Sequence, residues 1–368
     1  MAAMREYYDY LLIGHGLAGA TLATVLRRRG HSVLVLDAAP ADTASTVAAG
    51  LLNPVAGKRL ALGWRVAEFL PAAIRYYQSL EQELGTQFLQ LMPILKLFSS
   101  IADQNNAMAR SADHPWQEFV EEVSAELPPL PGVRQDFGGM RIRGGGYIAV
   151  REMLAAQAEK GVAEGWLRRE TFVPEQLVTN ATDVCYADTV RAGRVIFCEG
   201  SAAVHNPWFS WLPLTPNQGE VLDVHCPGLA EEQVLNKGAY VVPLGNGRFR
   251  VGATYRWPPF AAGTTVEART ELSQRFAEVT TLPFDVLQQW AGVRPAVRDR
   301  KPLLGTHPAE PFLSICNGFG SKGVLMAPLL AEHFANVLAG TTEMWPEVNI
   351  RRFQSFYSAA HPAAVISS

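Results

Sequence analysis

Residues 10–37 read YLLIGHGLAGATLATVLRRRGHSVLVLD, and the spacing inside this stretch decides the fold. Tyr10-Leu11-Leu12-Ile13 is a short apolar run without alternation, the pattern of a strand buried on both faces. Gly14, Gly16 and Gly19 follow at once in the order G-x-G-x-x-G. From Ala18 to Arg29 the pattern turns helical, with Leu22, Ala23, Val25 and Leu26 placed to face a sheet and Thr21, Thr24 and Arg28 placed outward. Gly30 stops the helix, and Val33-Leu34-Val35-Leu36 forms a second apolar run ending on Asp37. Strand, glycine turn, helix, strand and acid in this order predict a dinucleotide-binding unit.

Each position has a physical task. Gly14 permits the tight turn, Gly16 lets backbone approach a pyrophosphate, and Gly19 lets helix and strand pack closely. The helix then offers unpaired N–H groups and the positive end of its dipole to the phosphates. Asp37 is placed to accept from ribose hydroxyls and would repel a 2′-phosphate, which argues against NADP. The pattern alone does not separate NAD from FAD. For His15 three readings stay open: a tolerated side chain in the turn, a polar contact to the dinucleotide, or a covalent or catalytic role.

The chain has 368 residues, enough for two domains, and its 48% hydrophobic content supports a sizeable core. A net charge of −3 gives no sign of a nucleic-acid surface. The apolar run 10–26 is short and broken by glycines, so neither a signal peptide nor a membrane span is expected. Cys185, Cys198, Cys226 and Cys316 show no CxxC spacing and read as reduced thiols of a cytoplasmic protein, with no metal site. The segment LPPLPG (127–132) reads as a connection between elements.

Four further segments carry chemistry. TVAAGLLNP (46–54) places small residues just after the second strand, where backbone can lie against a ligand. TPNQGEVL spans 215–222, and GVRP occupies 292–295. An apolar run from Phe312 to Ile315 leads into NGFGSKGVLMAP (317–328), a second glycine-rich turn opening a helix. Tyr147 to Lys160 is helix-like and stops at Gly161, Val195 to Cys198 is a buried strand, and Ala239 to Tyr255 reads as a hairpin turning at GNG (245–247).

Taken in order along nearly the whole chain, these segments resemble the D-amino-acid oxidase/glycine oxidase family of FAD-dependent oxidoreductases. The resemblance implies FAD rather than NAD. It implies an α/β fold with a Rossmann-like FAD-binding domain from about 1–75, 138–205 and 290–368. An interleaved antiparallel-sheet substrate domain would come from about 76–137 and 206–289. The cofactor set that it implies is Gly14, Gly16, Leu17, Ala18, Gly19, Asp37, Ala48, Ala49, Gly50, Leu51, Val173, Gly200, Gly318, Gly320, Ser321, Lys322 and Gly323.

The implied reaction is oxidation of a C–N bond in an amino acid or amine, by hydride transfer to flavin and hydrolysis of the imine, with O2 as acceptor. A dehydrogenase passing electrons to a quinone or protein, and an RNA-modifying flavoenzyme, are the alternatives. Arg294 matches the family arginine that grips a substrate carboxylate. Tyr240 matches an aromatic of the substrate pocket, and Asn53 lies near the flavin with Pro54 after it. Tyr255 either closes over substrate or forms the rim. Lys322 stands where the family's basic residue is not cleanly matched. Arg298, Arg300 and Lys301 read as surface, as do Lys58, Arg59 and Arg65.

Overall fold

The computed structural model describes residues 6–57 and 60–360. They divide into two compact units. One draws on the described residues up to Thr46, on Arg151–Asn217 and on those from Val293 onward; the other on Val47–Val150 and Gln218–Gly292. This division runs through other residues than the sequence boundaries, since 47–57, 60–75 and 138–150 group with the second unit and 206–217 with the first.

The first unit is built on the opening stretch. Strand β1 (Glu6–Ile13), helix α1 (Leu17–Arg28) and strand β2 (Val33–Leu36) follow the predicted order. β1 runs parallel to β2 on one side and to Val190–Phe197 on the other, so its apolar run sits at the centre of an eight-stranded sheet. Leu313–Asn317 extends the sheet in parallel beyond Val190–Phe197. Leu11, Leu34, Val195, Phe197, Leu313 and Ile315 form its dry centre. Burial of these unbroken apolar runs, each side chain contributing roughly 1.5–3 kcal/mol, holds the strand ends where the glycine turns emerge.

Thr21 and Thr24, expected to face outward, are buried. α1 is covered on its far side as well, by the helix Gly323–Leu338. Arg29, just past its end, is tied to that helix through Asn336 at 2.8 Å. Thr24 solves its burial by donating to the Ala20 carbonyl at 3.0 Å and accepting from Gln157 at 2.8 Å.

The expected helix from Tyr147 also differs. Tyr147 belongs to the strand Gly146–Ile148, and the helix runs from Val150 to Ala163, straight through Gly161. Trp166 explains this glycine: a Cβ there would lie 2.8 Å from the indole ring, so the residue serves close packing and not termination.

The second unit carries an eight-stranded sheet, a three-stranded one and the two-stranded pair Val55–Ala56 with Ala61–Leu62. In the larger sheet the strands run in the order Asp285–Arg294, Asn217–His225, Arg248–Gly252, Ala239–Gly245, Val234–Lys237, Ile94–Leu97, Gly139–Ile142 and Val120–Ser124. Its first two strands cross between the units at their ends. The sheet is antiparallel wherever its registers are defined except at Val234–Lys237, which pairs in parallel with Ile94–Leu97. The hairpin turns at Gly245-Asn246-Gly247 as predicted, all three with positive φ. The smaller sheet orders Leu51–Leu52, Gly146–Ile148 and Leu89–Leu91. Among the described residues the four cysteines are buried and free, and no helix is long and apolar enough to cross a membrane.

Candidate functional site

The glycine turn closes tightly. Gly14 adopts φ +101°, and a Cβ on Gly19 would overlap the Gly14 carbonyl oxygen, so only glycine fits at both places. Asp37 then clips the turn to β2. Its Oδ1 accepts from the His15 N–H at 2.9 Å, and its Oδ2 accepts from the Ala39 N–H and from Arg169 Nη1, both at 3.0 Å. Ser45 adds a second tie by accepting from the Leu17 N–H at 3.0 Å. Gly16, the N-cap of α1, makes no side-chain cap bond, so the helix presents its N-terminus as bare backbone around Ala18.

His15 is buried, with its ring 6.1 Å from that of Trp166 and its Nε2 without a hydrogen-bond partner. Burial pushes its pKa from 6.5 to about 4, against the pull of Asp37 and with some help from Arg169. The imidazole is therefore neutral at physiological pH.

The second glycine turn lies beside the first. Gly323 opens the helix Gly323–Leu338, and a Cβ on it would come 2.7 Å from Leu17 Cδ2 at the start of α1. Asn317 shapes the approach by accepting from the Gly318 N–H at 2.8 Å and donating to the Gly200 carbonyl at 2.9 Å. Gly320 donates to the Pro295 carbonyl at 3.2 Å, which brings the GVRP segment against this turn. Ser321 is exposed, and Lys322 is the N-cap. Burial lowers the Lys322 pKa from its ordinary value.

Arg294 is half-buried at the end of its strand, and its Nη1 donates to Asn217 Oδ1 at 2.9 Å. Glu199, after the strand Val190–Phe197, has its pKa raised by burial and accepts from Asn206 at 2.7 Å. Val173 is partly exposed and donates its N–H to Tyr186 Oη at 3.1 Å.

The remaining candidates belong to the second unit. Gly50 lies against Ile148, whose N–H donates to the Gly50 carbonyl at 2.9 Å, with Ala49 buried and Ala48 and Leu51 half-buried beside it. Asn53 Oδ1 accepts from the Val55 N–H at 3.0 Å, so its carbonyl forms an Asx turn into Pro54. Tyr240 pairs with Gly252 across the hairpin and packs with Val47, Val221, Ala253 and Trp290. Tyr255 lies three residues beyond the hairpin and is exposed. Arg65 pairs with Glu68, Arg298 and Arg300 are exposed, and Lys58 and Arg59 lie outside the described residues.

Residues 9–337 match the sequence model of the family described as FAD dependent oxidoreductase (DAO). The chain belongs to this family. It is an enzyme, and its cofactor is FAD. A glycine oxidase of Geobacillus kaustophilus (strain HTA426) is 25% identical over 350 residues, covering 89% of this chain and 91% of that one. The tRNA 5-methylaminomethyl-2-thiouridine biosynthesis bifunctional protein MnmC of Azoarcus sp. (strain BH72) is 28% identical over 370 residues, 90% of this chain and 56% of that one. The crystal structure of glycine oxidase from Bacillus cereus ATCC 14579 shares the fold, with a TM-score of 0.76 at 20% identity over 91% of this chain and 96% of that one.

The nucleotide unit fits such a group. A Cβ on Gly16 would lie 3.3 Å from Ser45 Oγ, so the bare backbone there keeps the helix N-terminus open to an anion. Ser45, Arg169, Asn217 and Asn317 were not singled out from the sequence. Each acts on a candidate residue, and Asn217 stood in plain view inside TPNQGEVL.

Proposed function

We propose that this oxidoreductase oxidises the C–N bond of a small amino acid or amine. FAD, when bound, takes the hydride from the carbon bearing nitrogen. The nitrogen loses a proton, the resulting imine adds water, and a carbonyl compound and ammonia or an amine leave. O2 takes the two electrons and two protons to become hydrogen peroxide.

The observation that carries this reading is Arg294, a half-buried guanidinium anchored beside the second glycine turn. A planar guanidinium grips a carboxylate through parallel hydrogen bonds and so fixes the neighbouring Cα–H. Tyr240, as an aromatic, and Asn53, as an amide, are assigned to substrate binding by resemblance. For the cofactor, the turn of Gly14, Gly16 and Leu17 leads to the helix N-terminus, whose backbone at Ala18 and Gly19 supports a pyrophosphate there, and Asp37 supports a ribose without 2′-phosphate. Gly318, Gly320, Ser321, Lys322 and Gly323 are assigned to the flavin end, Lys322 as a positive charge for a reduced ring. Ala48, Ala49, Gly50, Leu51, Val173 and Gly200 are assigned by resemblance.

The test is anaerobic bleaching of the flavin across a panel of amino acids and amines, followed by turnover in air with peroxide detection. Bleaching with peroxide release supports the oxidase. Bleaching with turnover only on an artificial acceptor replaces O2 by a quinone or protein. No bleaching by any amine sinks the reading. The likeness to the bifunctional tRNA biosynthesis protein favours one further reading, with the amine carried on tRNA. Salt-sensitive binding of tRNA would support it.

A further inference from the structure

Arg250 and Arg294 are held by different groups. Arg250 is gripped at two of its nitrogens by Asp223, Nε to Oδ1 at 2.8 Å and Nη2 to Oδ2 at 3.0 Å, and this carboxylate brings a charge that cancels its own. Asn217, which holds Arg294, brings none. Its amide oxygen accepts from Nη1 at 2.9 Å, and the residue is buried, with only 5% of its surface exposed.

The main chain around the pair is equally fixed. Thr215 donates its N–H to the Ala296 carbonyl at 2.7 Å, Arg298 donates to Pro213 at 3.2 Å, and Leu214 bridges to Val297. Asn217 therefore starts its strand on a segment already laddered to the one that carries Arg294. A guanidinium is planar, so one N–H committed to a fixed oxygen restricts where its other nitrogens can lie.

We infer that Asn217 is a positioning residue for substrate recognition: its neutral amide orients the Arg294 guanidinium for an incoming carboxylate without competing for its charge. This rests on the carboxylate role of Arg294 proposed above. An aspartate in the same place would accept the same hydrogen bond but would also supply the anion itself, and the site would be filled from within. A leucine would remove this tie and its fixed oxygen.

The experiment titrates acetate, with acetamide as the uncharged control, into FAD-loaded enzyme and follows the flavin absorption bands. Wild type is expected to bind acetate and not acetamide. Asn217→Asp is expected to raise the acetate Kd at least about tenfold and Asn217→Leu about threefold to tenfold. Asn217→Gln, which carries the same neutral oxygen, is expected to restore most of the affinity. A purely structural role would make Asp, the closest isostere, the mildest of the three changes. Arg294→Ala separates the two claims. If it abolishes acetate binding while Asn217→Asp and Asn217→Leu bind as wild type, the positioning role falls and the carboxylate site stands. If wild type binds no acetate, or Arg294→Ala binds it unchanged, the carboxylate site falls and the positioning role with it. Should Asn217→Asp fail to retain FAD, the Leu and Gln pair decides alone: equal affinities overturn the inference.

Discussion

At the turn Gly14–Gly19 the backbone is enclosed by its own neighbours, whereas at Gly318–Gly323 part of the turn stands clear. A Cβ on Gly14 would lie 2.7 Å from the Cys198 carbonyl oxygen, and one on Gly19 would overlap Gly14 itself. A Cβ on Gly320 would meet nothing within 4 Å. The first turn draws its shape from main-chain packing and a carboxylate. The second draws it from the Asn317 side chain and the Pro295 carbonyl, and it runs into a half-buried lysine. Two helices that start side by side thus reach their N-termini by different means. One is built to leave backbone open, the other to place side chains.

The largest effect that tests this contrast is a single methyl group. Gly19→Ala should purify with almost no FAD, read from the ratio of flavin to protein absorbance, because helix and turn must part to admit it. Gly320→Ala should keep its FAD and lose only about 1 kcal/mol for its left-handed φ of +56°. Equal behaviour of the two variants would erase the distinction.

The next effect is a pH dependence. His15 titrates near 4 in the fold and near 6.5 when unfolded, so the unfolded chain binds the proton first as pH falls. Stability should decline from about pH 6.5 to 4 and level off below, by about 3 kcal/mol from this group. Urea unfolding of His15→Leu across that range should lack this component; an unchanged slope would mean that the folded imidazole protonates freely.

Asp37→Ala should weaken FAD binding by about 2 kcal/mol, roughly 30-fold, through loss of charge-assisted bonds to the turn, measured by equilibrium dialysis. Wild-type affinity would show that Ser45 and the glycines suffice. The smallest effect runs the other way. Lys322 is a cation at a helix N-terminus, where both burial and the dipole oppose it. Lys322→Met should raise stability by about 0.5 kcal/mol while slowing flavin reoxidation by air. A drop in thermal midpoint would instead make the lysine part of the scaffold.

What could be read from the sequence was what short range dictates. The turn, its helix, β2 and Asp37 all lie within 28 residues, and their roles follow from local sterics and from the period of the apolar residues. Arg294 and the second turn were legible as motifs. The pattern places Thr21 and Thr24 outward because a polar stripe signals solvent only if no second layer arrives, and here Gln157 and the helix Gly323–Leu338 cover α1. Gly161 reads as a stop in the sequence because the indole it accommodates adds no mark of its own to the pattern. Arg169 acts on Asp37 across 132 positions and Asn217 on Arg294 across 77, and neither pairing leaves a period or spacing to detect.

The Asp37 clip has a consequence for how such a protein can change. The carboxylate that would bar a 2′-phosphate is the same group that fastens the His15 amide and so holds the turn closed. Replacing it to admit a phosphorylated nucleotide also unfastens the turn that any nucleotide needs. Nucleotide preference and turn integrity are therefore inherited together. A variant built to admit another nucleotide therefore needs a second acceptor for that amide.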